Sequence, residues 1–174
     1  MPLQKFEFIP DGGSFVPLLK SMLAAVEQQA ELPAAAKEQL LFQAKVVLTE
    51  LLTNAIKHSG ASRTLFTIQV DHQILRISKS DSGNPMELIS HPALSSVGDT
   101  LQLSCDVMHI LQATVKNNST LLFSCIEAPE VPGVSAMALA DHFGLLIITK
   151  VASEFYYQFD EAGGINLFHV DILL

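Results

Sequence analysis

Two periods run through the apolar positions of the chain. Over residues 34–58 the period is helical: Leu41, Ala44, Leu48, Leu51, Leu52 and Ala55 recur at three and four, which predicts a long central helix ended by Gly60 as a C-cap. A shorter helix is expected before it, from Phe15 to about Ala30. Ser14 is its N-cap, Pro17 sits in its first turn, and Leu18, Leu19, Met22, Leu23 and Val26 form its apolar side. Leu32–Pro33 separates the two. Strict alternation marks strands at Lys5–Ile9, Arg63–Val70 and Gln73–Ser78, with a turn at Pro10–Gly13 and a hairpin connection at Asp71–His72.

The second half is less regular. Met86–Asp99 reads as a loop with short helical pieces and Thr100–Gln112 as a helix. Strands follow around Ala113–Lys116 and Leu121–Ile126, joined by Asn117–Asn118. Ala128–Val134 is a Pro/Gly connector, Ser135–Ser153 a last helix, and Phe155–Phe159 with Ile165–Ile172 a closing hairpin around Glu161–Gly164. Residues 100–126 and 142–172 thus share an order of helix, strand, turn and strand, which reads either as a faint internal repeat or as ordinary recurrence of α+β units.

Composition narrows the class. The 174 residues are 49% hydrophobic and 16% charged, which suits one domain with a sizeable core and excludes a disordered chain. No apolar run approaches the ~18–20 residues of a membrane span, and MPLQKFEFIPDGG lacks the basic and apolar regions of a secretory signal. A cytoplasmic location is therefore expected. The net charge of −8, with only Arg63 and Arg76 as arginines, argues against a phosphate-backbone reader. Proteins or a metal-shielded nucleotide are the expected partners. Cys105 and Cys125 read as small buried apolar residues, and the six histidines show no ligand-like spacing.

The candidate chemistry lies on the central helix. Glu50, Asn54 and Lys57 stand at i, i+4 and i+7, within about 60° of one another and away from the centre of the apolar stripe. An amide oxygen is a hard ligand suited to Mg²⁺, an ammonium meets phosphate as a point charge, and a carboxylate orients a water or hydroxyl. Taken alone, such a triplet is more often the solvated side of an amphipathic helix. Asp81, at a strand end and two residues before Gly83, can accept a hydrogen bond from an exocyclic amine where backbone approaches closely; a plain Asp/Ser/Gly/Asn/Pro turn has the same composition.

With both stretches in view, the chain resembles a known family. Glu50-Leu-Leu-Thr-Asn54-Ala-Ile-Lys-His58 is similar to the N box of the GHKL superfamily, the ATP-binding fold of histidine kinases and gyrase. NAIKHSGAS is especially like the sensor-kinase form. Asp81-Ser-Gly83-Asn-Pro85 resembles the following D-x-G-x-G box in a D-x-G-x-P form. With the preceding KFEFIPDGGSFVPLLKSML, it looks like the small anti-sigma-factor serine/threonine kinases. Phe143-Gly144-Leu145-Leu146 through Gly163-Gly164-Ile165-Asn166 resembles their C-terminal helix and hairpin, so the likeness covers about residues 4–86 and 142–172.

The resemblance implies an α+β fold: a two-layer α/β sandwich with a mixed sheet covered on one face by helices. It would form one domain over residues 1–174 with an inserted helix-hairpin segment at about 87–134. It also implies ATP and Mg²⁺. Glu50 would be the general base, Asn54 the Mg²⁺ ligand and Lys57 a phosphate contact. Asp81 would bind the adenine amino group, Gly83 would give backbone access, and Gly144 would pack near the phosphates. The chain departs from the pattern in two places: His142 stands where the later G-x-G box has its first glycine, and Asn84–Pro85 replaces the end of the common box.

Three functions follow from the likeness. The first is an ATP-dependent protein serine/threonine kinase of the anti-sigma type, phosphorylating or sequestering an anti-anti-sigma protein or a sigma factor, and a homodimer by analogy. The second is a degenerate GHKL-like domain without turnover, acting as a protein-interaction module. The third is a detached histidine-kinase catalytic domain. It is the weakest, because only about 33 residues precede the central helix, too few for a dimerisation hairpin.

Overall fold

The computed structural model describes residues 2–10, 13–71, 73–105, 109–127 and 143–174, with the side chains of 104 and 105 left aside. The order is β1 (Gln4–Phe8), α1 (Phe15–Gln29), α2 (Ala34–His58), β2 (Thr64–Val70) and β3 (Ile74–Asp81). Two 3-10 turns follow (Glu87–Ser90 and Pro92–Leu94), then β4 (Thr100–Cys105), β5 (His109–Asn117), β6 (Thr120–Glu127), α3 (Phe143–Val151), β7 (Glu154–Asp160) and β8 (Ile165–Leu173).

The eight strands form one sheet in the order β1-β2-β3-β8-β7-β6-β5-β4. Every pairing among the described residues is antiparallel, which corrects the expected mixed sheet. One cause lies in the β1–β2 connection, where a single crossover helix could have returned the chain parallel to its first strand. Here two helices, α1 and α2, intervene, and the extra reversal brings β2 back antiparallel beside β1.

The helices lie on one face. Alternate strand residues, among them Phe66, Ile68, Val70, Leu75, Ile77, Phe155, Tyr157, Phe168, Val170 and Ile172, are buried in one core with Met22 and Val26 of α1, Leu48, Leu51, Leu52 and Ala55 of α2, and Leu145, Leu146 and Ile148 of α3. The α+β architecture is as expected from the sequence.

The segment after β3 differs from the expectation. Thr100–Gln112 is not helix; it forms β4 and the start of β5, and with β6 makes a three-stranded meander. Leu101, Leu103 and Cys105 alternate with polar residues, a period of two. The pairing register shifts between Gln102 and Ser104, a bulge that interrupts that period. The supposed repeat disappears with the helix. The meander also extends the main sheet, since β6 pairs with β7, and it provides the floor beneath α3. Of the helix expected over 135–153, residues 143–151 are α3, while 135–142 lie outside the described residues. Among the described residues, no helix is long and apolar enough to cross a membrane.

Candidate functional site

α2 is the axis of the site. It spans all 25 residues expected, with Lys57 and His58 in its last turn, where cations complement the helix dipole. Gly60 follows Ser59 at φ +61°, a left-handed conformation that turns the chain into β2 at little cost for glycine. Glu50 and Asn54 are half-buried on α2, and Lys57 is exposed one turn further on. Burial holds the Glu50 carboxyl above the usual glutamate range, and the nearby Lys57 ammonium pulls it partly back.

α3 brings Gly144 onto this edge. A Cβ built on Gly144 would come within 2.5 Å of Glu50 Oε2 and 3.9 Å of Asn54 Oδ1. Three of the residues singled out from separate stretches therefore meet at one point. His142 lies outside the described residues.

Just past the C-terminal end of α2, Ser59 receives the segment after β3. Its carbonyl oxygen accepts a hydrogen bond from Asn84 N–H at 3.1 Å. A Cβ on Gly83 would overlap that same carbonyl oxygen, so backbone packs against backbone here and only glycine fits. Asp81 is the last residue of β3, not part of the turn: the strand runs three residues past Ser78, paired with Asn166–Phe168 of β8.

The Asp81 carboxylate is already engaged. Its Oδ1 accepts from Gly83 N–H at 3.0 Å and from Asn166 Nδ2 at 3.1 Å. Its Oδ2 lies 2.7 Å from Lys79 Nζ, and the two side chains are 2% and 3% exposed. Lys79 sits two residues earlier on β3, so the pleat puts it on the same buried side, where its ammonium lies 4.8 Å from the centre of the Phe168 ring. Burial lowers the Lys79 pKa, and Asp81 opposes that shift through its charge and hydrogen bond.

Asn166 ties the turn down. Besides Asp81, its Nδ2 donates to the carbonyls of Gly83 at 3.0 Å and Asn84 at 3.2 Å. Its Oδ1 accepts from Tyr157 Oη at 2.6 Å, and Tyr157 Oη in turn accepts from Met86 N–H at 2.9 Å. Burial raises the Tyr157 pKa, with Met86 N–H lowering it and Asp81 adding to the rise. Residues 81–86 are thus held at both ends by two side chains of the closing hairpin.

Sequence reasoning singled out Glu50, Asn54, Lys57, Asp81, Gly83 and Gly144. It missed Lys79, Tyr157 and the hydrogen-bonding role of Asn166. For Lys79 a signal was available: counting back by two from Asp81 lands on it. For Tyr157 and Asn166 none was, because their contacts span 71 and 85 residues of chain. No protein-family model matches the chain, and no curated protein matches it.

Proposed function

We propose that the chain is a nucleotide-binding regulatory protein of the anti-sigma-kinase type, which phosphorylates or sequesters a protein partner. The observation that carries this reading is the packing of Gly144 against Glu50 and Asn54. It supports a cradle in which backbone from α3 approaches a carboxylate and an amide on α2.

The residues at this end fit Mg-ATP. Asn54 offers a neutral oxygen donor, Gly144 lets the α3 backbone come close to Glu50 and Asn54, and Lys57 supplies an exposed cation. Bound Mg²⁺ would neutralise phosphate charge there. Glu50, with its carboxyl pKa raised by burial, is suited to take a proton from a partner's serine or threonine hydroxyl. Asn54 and the α3 backbone would orient the reacting groups.

The Asp81 end fits less well. An adenine amino group would have to share a buried carboxylate whose Oδ1 already accepts from Gly83 and Asn166 and whose Oδ2 is paired with Lys79. That observation favours a second reading, an interaction module without turnover, in which the Asp81 cluster is structural. Calorimetry separates the two. In the first reading, ATP binds with Mg²⁺ and Asn54→Ala abolishes binding while the circular dichroism spectrum is unchanged. Absence of heat with wild-type protein sinks the nucleotide reading and leaves the second.

A further inference from the structure

α1 and α2 pack side by side on the sheet, and their outer sides leave an open furrow of about 330 Å³. Leu23 of α1 with Leu41 and Phe42 of α2 provide its apolar lining, and Lys20, Glu27 and Lys45 complete it. Phe42 is 66% exposed, a large aromatic left in water beside other apolar side chains. Single exposed apolar residues need no explanation, whereas an aromatic set in a furrow with apolar neighbours marks an interaction surface.

The charges say what fits. The chain carries −8 overall, yet this furrow has two cations against one carboxylate. Among the described residues neither Lys20 nor Lys45 forms an ion pair. Beyond the lining, Lys37 lies close by with its Nζ 3.4 Å from the Glu27 carbonyl oxygen, and the exposed Glu38 stands one turn before Phe42, so the surplus of positive charge is that of Lys20 and Lys45 in the furrow itself. A furrow between two antiparallel helices accepts the side-chain ridge of a third. We infer that the α1–α2 furrow docks an amphipathic helix of a partner protein, with an apolar ridge over Phe42 and acidic residues facing Lys20 and Lys45.

Two other occupants fit less well. A second copy docked furrow to furrow would set Lys20 and Lys45 against the same surface with only Glu27 to offset them. An anionic membrane would meet a chain whose remaining surface repels it. The inference stands apart from nucleotide binding: Phe42 lies twelve residues before Asn54, about 18 Å along α2.

The test uses the full chain and a fluorescein-labelled helical peptide with leucines at i, i+3, i+4 and i+7 and glutamates on both flanks, followed by anisotropy without nucleotide. The acidic peptide is expected to bind saturably, and the same peptide with lysines for glutamates about tenfold more weakly. Phe42→Ala should weaken the acidic peptide by about tenfold, and the double variant Lys20→Glu/Lys45→Glu by at least as much, with circular dichroism unchanged. No saturable binding, or binding that neither variant weakens, overturns the inference. So does a sedimentation experiment in which Phe42→Ala converts a wild-type dimer to monomer, which assigns the furrow to a second copy. Co-sedimentation with phosphatidylserine vesicles that Phe42→Ala abolishes would likewise overturn it in favour of a membrane.

Discussion

Lys79 and Asp81 stand two residues apart on β3 and meet on its buried side, with Nζ 2.7 Å from Oδ2 and both side chains nearly solvent-free. Their attraction is offset by the cost of taking both charges out of water, so the pair adds little net stability, but breaking it leaves a buried charge uncompensated. Asp81→Asn keeps an acceptor for Gly83 and Asn166 while stranding the Lys79 ammonium. Urea denaturation should show a loss of about 3–5 kcal/mol. Adding Lys79→Met to that variant should recover most of it. A loss below about 1 kcal/mol in the single variant would mean that water reaches the ammonium.

Gly83 and Gly144 should respond differently to alanine. At Gly83 the added methyl meets the Ser59 carbonyl, which is held by its bond to Asn84. Backbone must move, and thermal unfolding should register a loss of about 3 kcal/mol. At Gly144 the nearest atom is the mobile end of the Glu50 side chain. Stability should change by less than about 1 kcal/mol, the helix gaining what the contact loses. If Gly144 packs at a phosphate, nucleotide affinity measured by calorimetry should still fall.

Asn166 and Tyr157 hold the turn that follows β3, and their variants should read as a pair. Tyr157→Phe leaves Met86 N–H and Asn166 Oδ1 without their shared partner. It should cost about 1–3 kcal/mol in chemical denaturation. Asn166→Ala removes that link and the three donated bonds. Because both act on one network, the double variant should cost less than the sum of the singles. Additive losses would show that the two side chains act independently.

How far the sequence reached follows from the range of each interaction. α2 was legible because its stripe, the preceding Leu32–Pro33 and the left-handed Gly60 are all local. β7 and β8 were legible for the same reason, since a short turn fixes their register. β3 was read three residues short: its last turn-like residues stay in the sheet through pairing with β8, some 85 positions away. β4 was lost to its bulge and to a run that satisfies a helical spacing almost as well as a strand's. In the site, residue types spaced along one helix could be found. The engagement of Asp81 is not visible in the sequence, because it depends on Asn166 and on Lys79, which lies just past the expected strand end at Ser78.

Glu50 offers a test by pH alone. Its carboxyl is raised by burial in the folded chain and returns to an ordinary value near 4.5 on unfolding. Between those two values the folded protein binds more protons than the unfolded chain, so stability falls as pH rises through the window above 4.5. Glu50→Gln has no charge to expose and should lose that part of the decline. Melting temperatures taken in steps from about pH 4 to 8 should therefore converge for the two proteins at the acid end and separate in favour of the variant above it. Lys57 opposes the shift, so Lys57→Met should deepen the wild-type decline. Parallel curves for wild type and Glu50→Gln would show that the carboxylate is as well solvated folded as unfolded, and would remove the reason for assigning it the base.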